Sequence, residues 1–147
     1  MTLSKRERTL LEWCLSHPGS QFRDTGWPKG AGNATVRELL DKTLIVGPRV
    51  LFKGFTYDPT ALGRFVGTPL EWRADGEELR TDFLGGYAWV SPTTKDVGRY
   101  VWRAVLRGQC LYTAADTQDA ARAACEAWVN AERLRQAGRS RYADHSV

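Results

Sequence analysis

The chain has 147 residues, of which 42% are hydrophobic and 26% are charged. These values are typical of a globular protein and exclude a wholly disordered chain. No apolar run approaches the roughly 18 residues that a membrane span requires, and the charged N-terminus does not resemble a signal peptide. We therefore expect a cytoplasmic protein without a membrane partner. The formal net charge of +4 mildly favours polyanions or acidic partners.

The sequence gives no sign of a catalytic, cofactor or metal site. Its three cysteines are widely separated, and its two histidines, His17 and His145, lie near opposite ends of the chain. A zinc site needs clustered ligands. No glycine pattern matches a phosphate-binding loop, and no nucleophile lies near a histidine in the sequence. We expect no metal, no cofactor, no small-molecule substrate and no enzymatic activity.

The first helix is marked by a capping box, in which Ser4 and Glu7 satisfy each other's backbone amides. Apolar residues behind it share one helical face until Pro18-Gly19 ends the pattern. Residues 17 to 33 are rich in glycine, proline, serine and aspartate, a composition that favours a loop.

A second helix is predicted to begin at Asn33, which suits an N-cap position. It leads into a hairpin of two strands, Leu44 to Val46 and Leu51 to Tyr57, with a bend at Gly47-Pro48. Thr60 is a candidate cap for a short third helix over residues 61–66.

The second half predicts three strands and a long helix. After a polar loop over 67–82, strands are expected at 86–91, 99–106 and 109–114. The helix starts at Asp116 or Thr117 and ends at Gly138, with residues 139–147 as a frayed tail. Its face bearing Ala120, Ala124, Ala127, Trp128 and Ala131 is expected to cover the sheet. The predicted fold class is α+β, with domains at 1–67 and 68–147.

The pattern between Ser4 and Val66 resembles winged-helix regulators of the MarR/PadR kind. In that family a recognition helix ends in L-x-x-x-G-L-I, and the chain resumes after the wing at Y-x-L-T-x-x-G-R. The matching words here are VRELLDKTLIV at residues 36–46 and FTYDPTALGR at residues 55–64. Thr43 stands where glycine is usual, and Pro59 replaces an apolar residue. The second half is similar to small β-β-β-α modules of phage and prophage proteins.

The resemblance implies a DNA-binding protein or transcription regulator, with the 33–42 helix in the major groove and a 47–54 wing on the duplex. A dimer through the long C-terminal helix would suit that role. The interpretation requires a helix at Asn33–Lys42 and pairing of Leu44–Val46 with Leu51–Tyr57. The implied nucleic-acid contacts are Lys29, Thr35, Arg37, Glu38, Lys42, Arg49 and Lys53.

The alternative is a protein-binding module without DNA affinity, such as a phage-encoded inhibitor of a host defence or nucleic-acid machine. A small phage assembly protein is a third option. The partner would then be an acidic or nucleic-acid-binding protein. Strand alternation places Arg99 and Arg103 on one face, and such a face is more often an ordinary solvated sheet face than a binding surface. The candidate partner contacts are Trp27, Trp72, Arg99, Arg103 and Arg107.

Overall fold

The computed structural model of the protein describes residues 1–17, 32–52, 54–93 and 99–145, with side chains described to residue 139. Within these ranges the fold is mixed α+β, with four helices and two antiparallel sheets. No helix there is both long enough and apolar enough to cross a bilayer. The chain divides into two compact units, Met1–Pro69 with Ala137–Val147 (unit 1) and Leu70–Gln136 (unit 2). The predicted domain division at 67/68 placed the whole C-terminal helix in the second half, whereas the residues from Ala137 onward belong to unit 1.

Unit 1 begins with α1 (Lys5–Ser16), and the predicted capping box is confirmed. The Ser4 hydroxyl accepts a hydrogen bond from the Glu7 amide at 3.2 Å, and the Glu7 carboxylate accepts from the Ser4 amide at 3.2 Å. This reciprocal pair satisfies two amides that a helix N-terminus otherwise leaves without partners.

Two further helices of unit 1 pack with α1 through apolar side chains. They are α2 (Asn33–Asp41) and α3 (Ala61–Gly67). The N-cap of α2 is Gly32 and not Asn33, so no side chain caps that helix. Thr60 caps α3 as predicted, accepting from the Gly63 amide at 3.0 Å. The buried apolar residues of the three helices and the following strand are Leu10, Leu11, Cys14, Val36, Leu39, Leu44, Ile45, Phe65 and Val66.

The hairpin of unit 1 joins β1 (Ile45–Leu51) to β2 (Gly54–Pro59). The expected register was wrong: Ile45 pairs with Pro59 and Val46 with Asp58, outside the predicted partner strand. The first strand runs on through Gly47-Pro48 with a register shift, so Leu51 belongs to β1 and the turn lies after it. One of the two geometric requirements of the regulator interpretation is therefore not met.

Unit 2 contains a five-stranded antiparallel meander in which each strand pairs with its neighbour in sequence. The last three strands match the predicted ones closely. The interpretation of residues 67–82 as a polar loop was wrong, because two more strands lie there. The strands are β3 (Arg73–Asp75), β4 (Glu78–Phe83), β5 (Gly86–Pro92), β6 (Tyr100–Leu106) and β7 (Gln109–Ala115).

The long helix α4 (Gln118–His145) runs past Gly138, so the predicted helix end and frayed tail were wrong. In unit 2 its buried face is Ala121, Cys125 and Val129, packed with Ala88, Val90, Trp102 and Ala104 of the sheet. The face chosen from the sequence was rotated away from this one. Trp128 does pack against the core cluster, but its four alanine companions are exposed.

Candidate functional site

The sheet of unit 2 has one face packed on α4 and an opposite face that no described helix of unit 2 covers, here called the open face. Side chains alternate along each strand, so every second residue points away from the core. Strand register aligns one such residue from each strand: Arg73 pairs with Arg80, Arg80 with Trp89, Trp89 with Arg103, and Arg103 with Tyr112. We call these five residues the arginine–aromatic row. With strands about 4.8 Å apart, the row extends over roughly 19 Å.

The cations of the row point into solvent. Arg73, Arg80 and Arg103 are all exposed. Arg73 donates to Asp82 at 2.5 Å, but Arg80 and Arg103 have no ion-pair partner among the described residues. The rings of Trp89 and Tyr112 lie on the two strands flanking Arg103, with centroids 6.0 Å apart in an edge-to-face arrangement. The two rings therefore meet beside the exposed Arg103 side chain, which lies on the strand between them.

Charge on the open face is not uniform. Acidic side chains collect near β3 and β4, where Asp75 pairs in register with Glu78. At the other end, Arg99 donates to Asp116 at 3.3 Å. Over strands β5 to β7 the row is instead flanked by Tyr87, Ser91, Val101 and Val105, together with Cys110 and Ala114. The central part of the face is therefore apolar and aromatic around the single cation of Arg103.

Sequence reasoning found only part of this row. It identified Arg103 as exposed beside Arg99, but it placed Arg73 and Arg80 in a loop and did not select Trp89 or Tyr112. Two signals were present: the alternation of Leu79, Thr81 and Phe83 with charged residues, and the Asp75-Gly76 turn before it.

The other proposed partner contacts of unit 2 have local structural roles. Trp72 is not an exposed anchor: its ring packs against the core cluster, and its Nε1 donates to the Glu126 carboxylate at 2.7 Å. Arg107 occupies a turn with φ of 44°, and its amide donates to the Gly85 carbonyl at 3.0 Å. Trp27 lies outside the described residues.

In unit 1, Lys42 is used internally. Its ammonium forms an ion pair with the buried Glu7 carboxylate and donates to the Thr2 carbonyl at 2.9 Å. Burial by itself raises the pKa of Glu7, but the hydrogen bonds from Lys42 and Ser4 outweigh it and lower the pKa below its ordinary value. Lys42 therefore stabilises the α1–α2 contact, and we remove it from the candidate DNA contacts.

Arg49 is also held within the hairpin. Its guanidinium donates twice to Asp58, at 2.8 and 3.0 Å. That hydrogen-bonded pair raises the pKa of Arg49 and lowers the pKa of Asp58. A bidentate pair of this kind fixes the plane of the guanidinium across the two strands, while the Arg49 side chain stays 53% exposed.

The remaining candidate DNA contacts of unit 1 fall into three groups: one is buried, two are exposed, and two lie outside the described residues. Thr35 is only 7% exposed, which corrects the expectation that it faces a ligand. Arg37 and Glu38 do lie exposed on α2. Arg37 also lines a shallow cavity of about 280 Å³ with Asn33, Val36, Leu40 and Tyr57. Lys29 and Lys53 lie outside the described residues.

Two of the cysteines are buried thiols of low reactivity. Cys14 and Cys125 are buried, and desolvation, with a smaller contribution from a nearby carboxylate in each case, raises the pKa of each thiol to about 12. A thiol with that pKa is almost wholly protonated near neutral pH and is a poor nucleophile. Over the part of the chain that the structure describes, no group of three or more histidine, cysteine, aspartate and glutamate side chains could hold a metal ion.

Comparisons with known protein families, with curated proteins and with solved structures find no match to this chain.

Proposed function

We propose that this protein binds duplex DNA without catalysing a reaction, and that the arginine–aromatic row of unit 2 is its contact surface. The observation that carries the proposal is the register of five strands, which gathers three exposed arginines and two aromatic rings in one line. The hairpin of unit 1 also exposes Phe52 and Phe55, but its exposed Arg49 is paired with Asp58.

Three physical properties of the row support this function. Arginine presents a planar fork of donors that matches phosphate oxygens and the acceptor edge of guanine. Strands β5 to β7 span about 10 Å between their outer backbones, which is comparable to the roughly 12 Å width of a B-DNA major groove. The half-exposed ring of Trp89 and the exposed ring of Tyr112 offer apolar contact to thymine methyl groups or sugars beside the arginine.

For unit 1 we propose a winged-helix-like fold, supported by the order α1, α2, hairpin, α3. The strand pairing that a regulator-like function of this unit requires is not met. Lys42 and Arg49 are paired internally, and Arg37 is the only predicted cation of this unit that is both described and exposed without an ion-pair partner among the described residues. We therefore assign the main DNA contact to unit 2.

The test is a salt titration of binding to a random-sequence duplex, measured by fluorescence anisotropy. Removing one arginine that binds a phosphate should reduce the slope of log K against log salt by about 1. We expect Arg80→Ala with Arg103→Ala to weaken binding and flatten this slope. Arg122→Ala is the matched control, because it removes an exposed arginine of the same unit on α4, away from the open face.

A third variant, Arg37→Ala, separates the two units in the same assay. If it weakens binding as strongly as the double variant, α2 belongs to the contact surface. Failure of the unmodified protein to bind duplex DNA at low salt would remove the proposal. Equal losses of affinity with Arg122→Ala and with Arg103→Ala alone, each of which removes one charge, would show that binding follows net charge and not the row.

A protein partner is the second candidate, because the composition of the row also favours it. Tryptophan, tyrosine and arginine are the residues most enriched among interface hot spots. Acidic side chains on the β3–β4 part of the open face would oppose a phosphate backbone there. Affinity purification with and without nuclease distinguishes the two: a stoichiometric protein that survives nuclease treatment and is absent with Arg103→Glu would favour this candidate.

A further inference from the structure

The last strand of the sheet, β7, has one long edge without a partner strand among the described residues. Strand order runs β3-β4-β5-β6-β7, so β7 pairs only with β6. Six of its seven residues are exposed. An open edge presents a row of backbone donors and acceptors that can pair with another strand.

The residues that present these groups follow from the turn between β6 and β7. Arg107 and Gly108 both have positive φ, 44° and 84°, as in a two-residue type I′ hairpin. In such a hairpin the pair flanking the turn, Leu106 and Gln109, is hydrogen bonded, and bonded pairs then recur at every second residue. Cys110, Tyr112 and Ala114 therefore direct their backbone N–H and C=O groups to the open edge.

The strand β7 itself carries none of the sequence features that keep exposed edges apart. Proteins protect edge strands with lysine or other charges, with proline, or with bulges. The sequence Gln-Cys-Leu-Tyr-Thr-Ala-Ala contains no charge and no proline, and its register with β6 is regular throughout. Pairing two copies of this strand would bring no like charges together.

We propose that β7 pairs antiparallel with β7 of a second copy of this chain, with the twofold axis at Tyr112. Tyr112 is the middle residue of the seven-residue strand, so this register pairs the whole strand. Tyr112 lies opposite the partner's Tyr112, and Cys110 lies opposite the partner's Ala114. The backbone groups at all three outward-directed positions find partners at once.

Two apolar features lie beside the same edge. Leu111 points to the α4 side of the sheet and is 37% exposed, although its neighbours in β6 are buried there. Ala120, Ala124, Ala127 and Ala131 form an exposed stripe on α4. Glu126 is tied to Trp72 before β3, so helical spacing places this stripe on the opposite flank, towards β7. A second copy at the β7 edge would cover the leucine and meet the alanine stripe.

Pairing would also extend the open face. The row would continue through Tyr112 of one copy into Tyr112 of the other, in a single ten-stranded sheet. The two Arg103 residues would then be separated by three strand spacings, about 14 Å. The dimer does not depend on DNA binding, and it is tested without DNA.

Sedimentation velocity tests the assembly and its register together. The unmodified chain is expected to sediment with twice the 16.5 kDa mass of one chain. Cys110→Lys with Ala114→Lys places like charges opposite each other at both ends of the pairing. Cys110→Lys with Ala114→Glu places opposite charges there. We expect the second variant to dimerise at least about tenfold more tightly than the first, since opposed charges on paired strands stabilise or destabilise by sign.

Disulfide formation between two copies tests the position of the twofold axis. In a Cys110→Ser background, Tyr112→Cys brings two thiols to a Cα separation of about 5.5 Å, within the range that a disulfide spans. We expect an intermolecular disulfide on mild oxidation. The unmodified protein should form none, because the two Cys110 residues lie about 13 Å apart along the strand direction. A monomeric unmodified chain, or equal dimerisation of the two charge variants, would overturn the proposal.

Discussion

Both units of this protein hold some basic side chains in ion pairs and leave others without one among the described residues, and the two groups have different neighbours. In unit 1, Lys42 neutralises a buried carboxylate and Arg49 bridges two strands. In unit 2, Arg80 and Arg103 have no ion-pair partner among the described residues and lie in one row with two aromatic rings. A basic residue is therefore a candidate contact only after its internal partners are known. Variants in each unit test whether the two differ in this way.

The largest effect is expected at one close-packed glycine in each unit. A Cβ on Gly63 would overlap the carbonyl oxygen of Leu44, and a Cβ on Gly86 would overlap the carbonyl oxygen of Val105. Because backbone atoms cannot move aside as side-chain ends can, each change to alanine should lower the free energy of unfolding by about 3 kcal/mol. Urea unfolding followed by tryptophan fluorescence measures it.

Gly76→Asn is the control for both glycine variants. A Cβ there meets nothing within 4 Å, and asparagine tolerates the positive φ of 63° better than other side chains. We expect only a small change in stability. A Gly63→Ala protein as stable as the control would show that α3 is not seated against Leu44 as described.

The next effect concerns the internal ion pair of unit 1. Lys42→Met leaves the buried Glu7 carboxylate without its cation and should cost about 1–3 kcal/mol at neutral pH. Arg49→Met is the matched control: its pair with Asp58 is more exposed, so its removal should change stability much less. Thermal and urea unfolding of the two variants compare them directly.

The same pair predicts a pH dependence. The folded-state pKa of Glu7 is lowered from 4.5, so its contribution is present above the unfolded pKa and is lost as pH falls through the folded value. The unmodified protein should therefore lose this part of its stability below about pH 4.5. In Lys42→Met the stability lost at acid pH should be smaller. An unchanged dependence of stability on pH would mean that Glu7 and Lys42 are not coupled.

The smallest effects on stability are expected at helix caps, one in each unit. Thr117 accepts a hydrogen bond from the Ala120 amide at 3.0 Å, so Thr117→Ala should cost about 1 kcal/mol. Gly32 caps α2 without a side chain, and Gly32→Asp should raise stability by a few tenths of a kcal/mol. Differential scanning calorimetry measures both changes: the melting temperature should fall in Thr117→Ala and rise in Gly32→Asp. Destabilisation by Gly32→Asp would contradict the assignment of Gly32 as N-cap.

The sequence predicted the local elements well where short-range chemistry decides them. The capping box of Ser4 and Glu7, the Thr60 cap and the alternation of β6 all follow from side chains a few residues apart. The rotation of α4 was predicted wrongly, because alanines occur on two of its faces and small side chains do not say which face meets the sheet. Trp72 was misassigned for a related reason, since its partner Glu126 is 54 residues away.

By itself the sequence determined the α+β class, the first and third helices with their caps, and the strands β5, β6 and β7. Only the tertiary structure decided which cations are paired and which side chains form the row. The physical reason is the sequence separation of the interacting groups. Capping and alternation are set within one turn or one strand, whereas ion pairs and cross-strand rows depend on how distant segments are aligned. A shift of one residue in that alignment would turn Arg103 from the open face to the core.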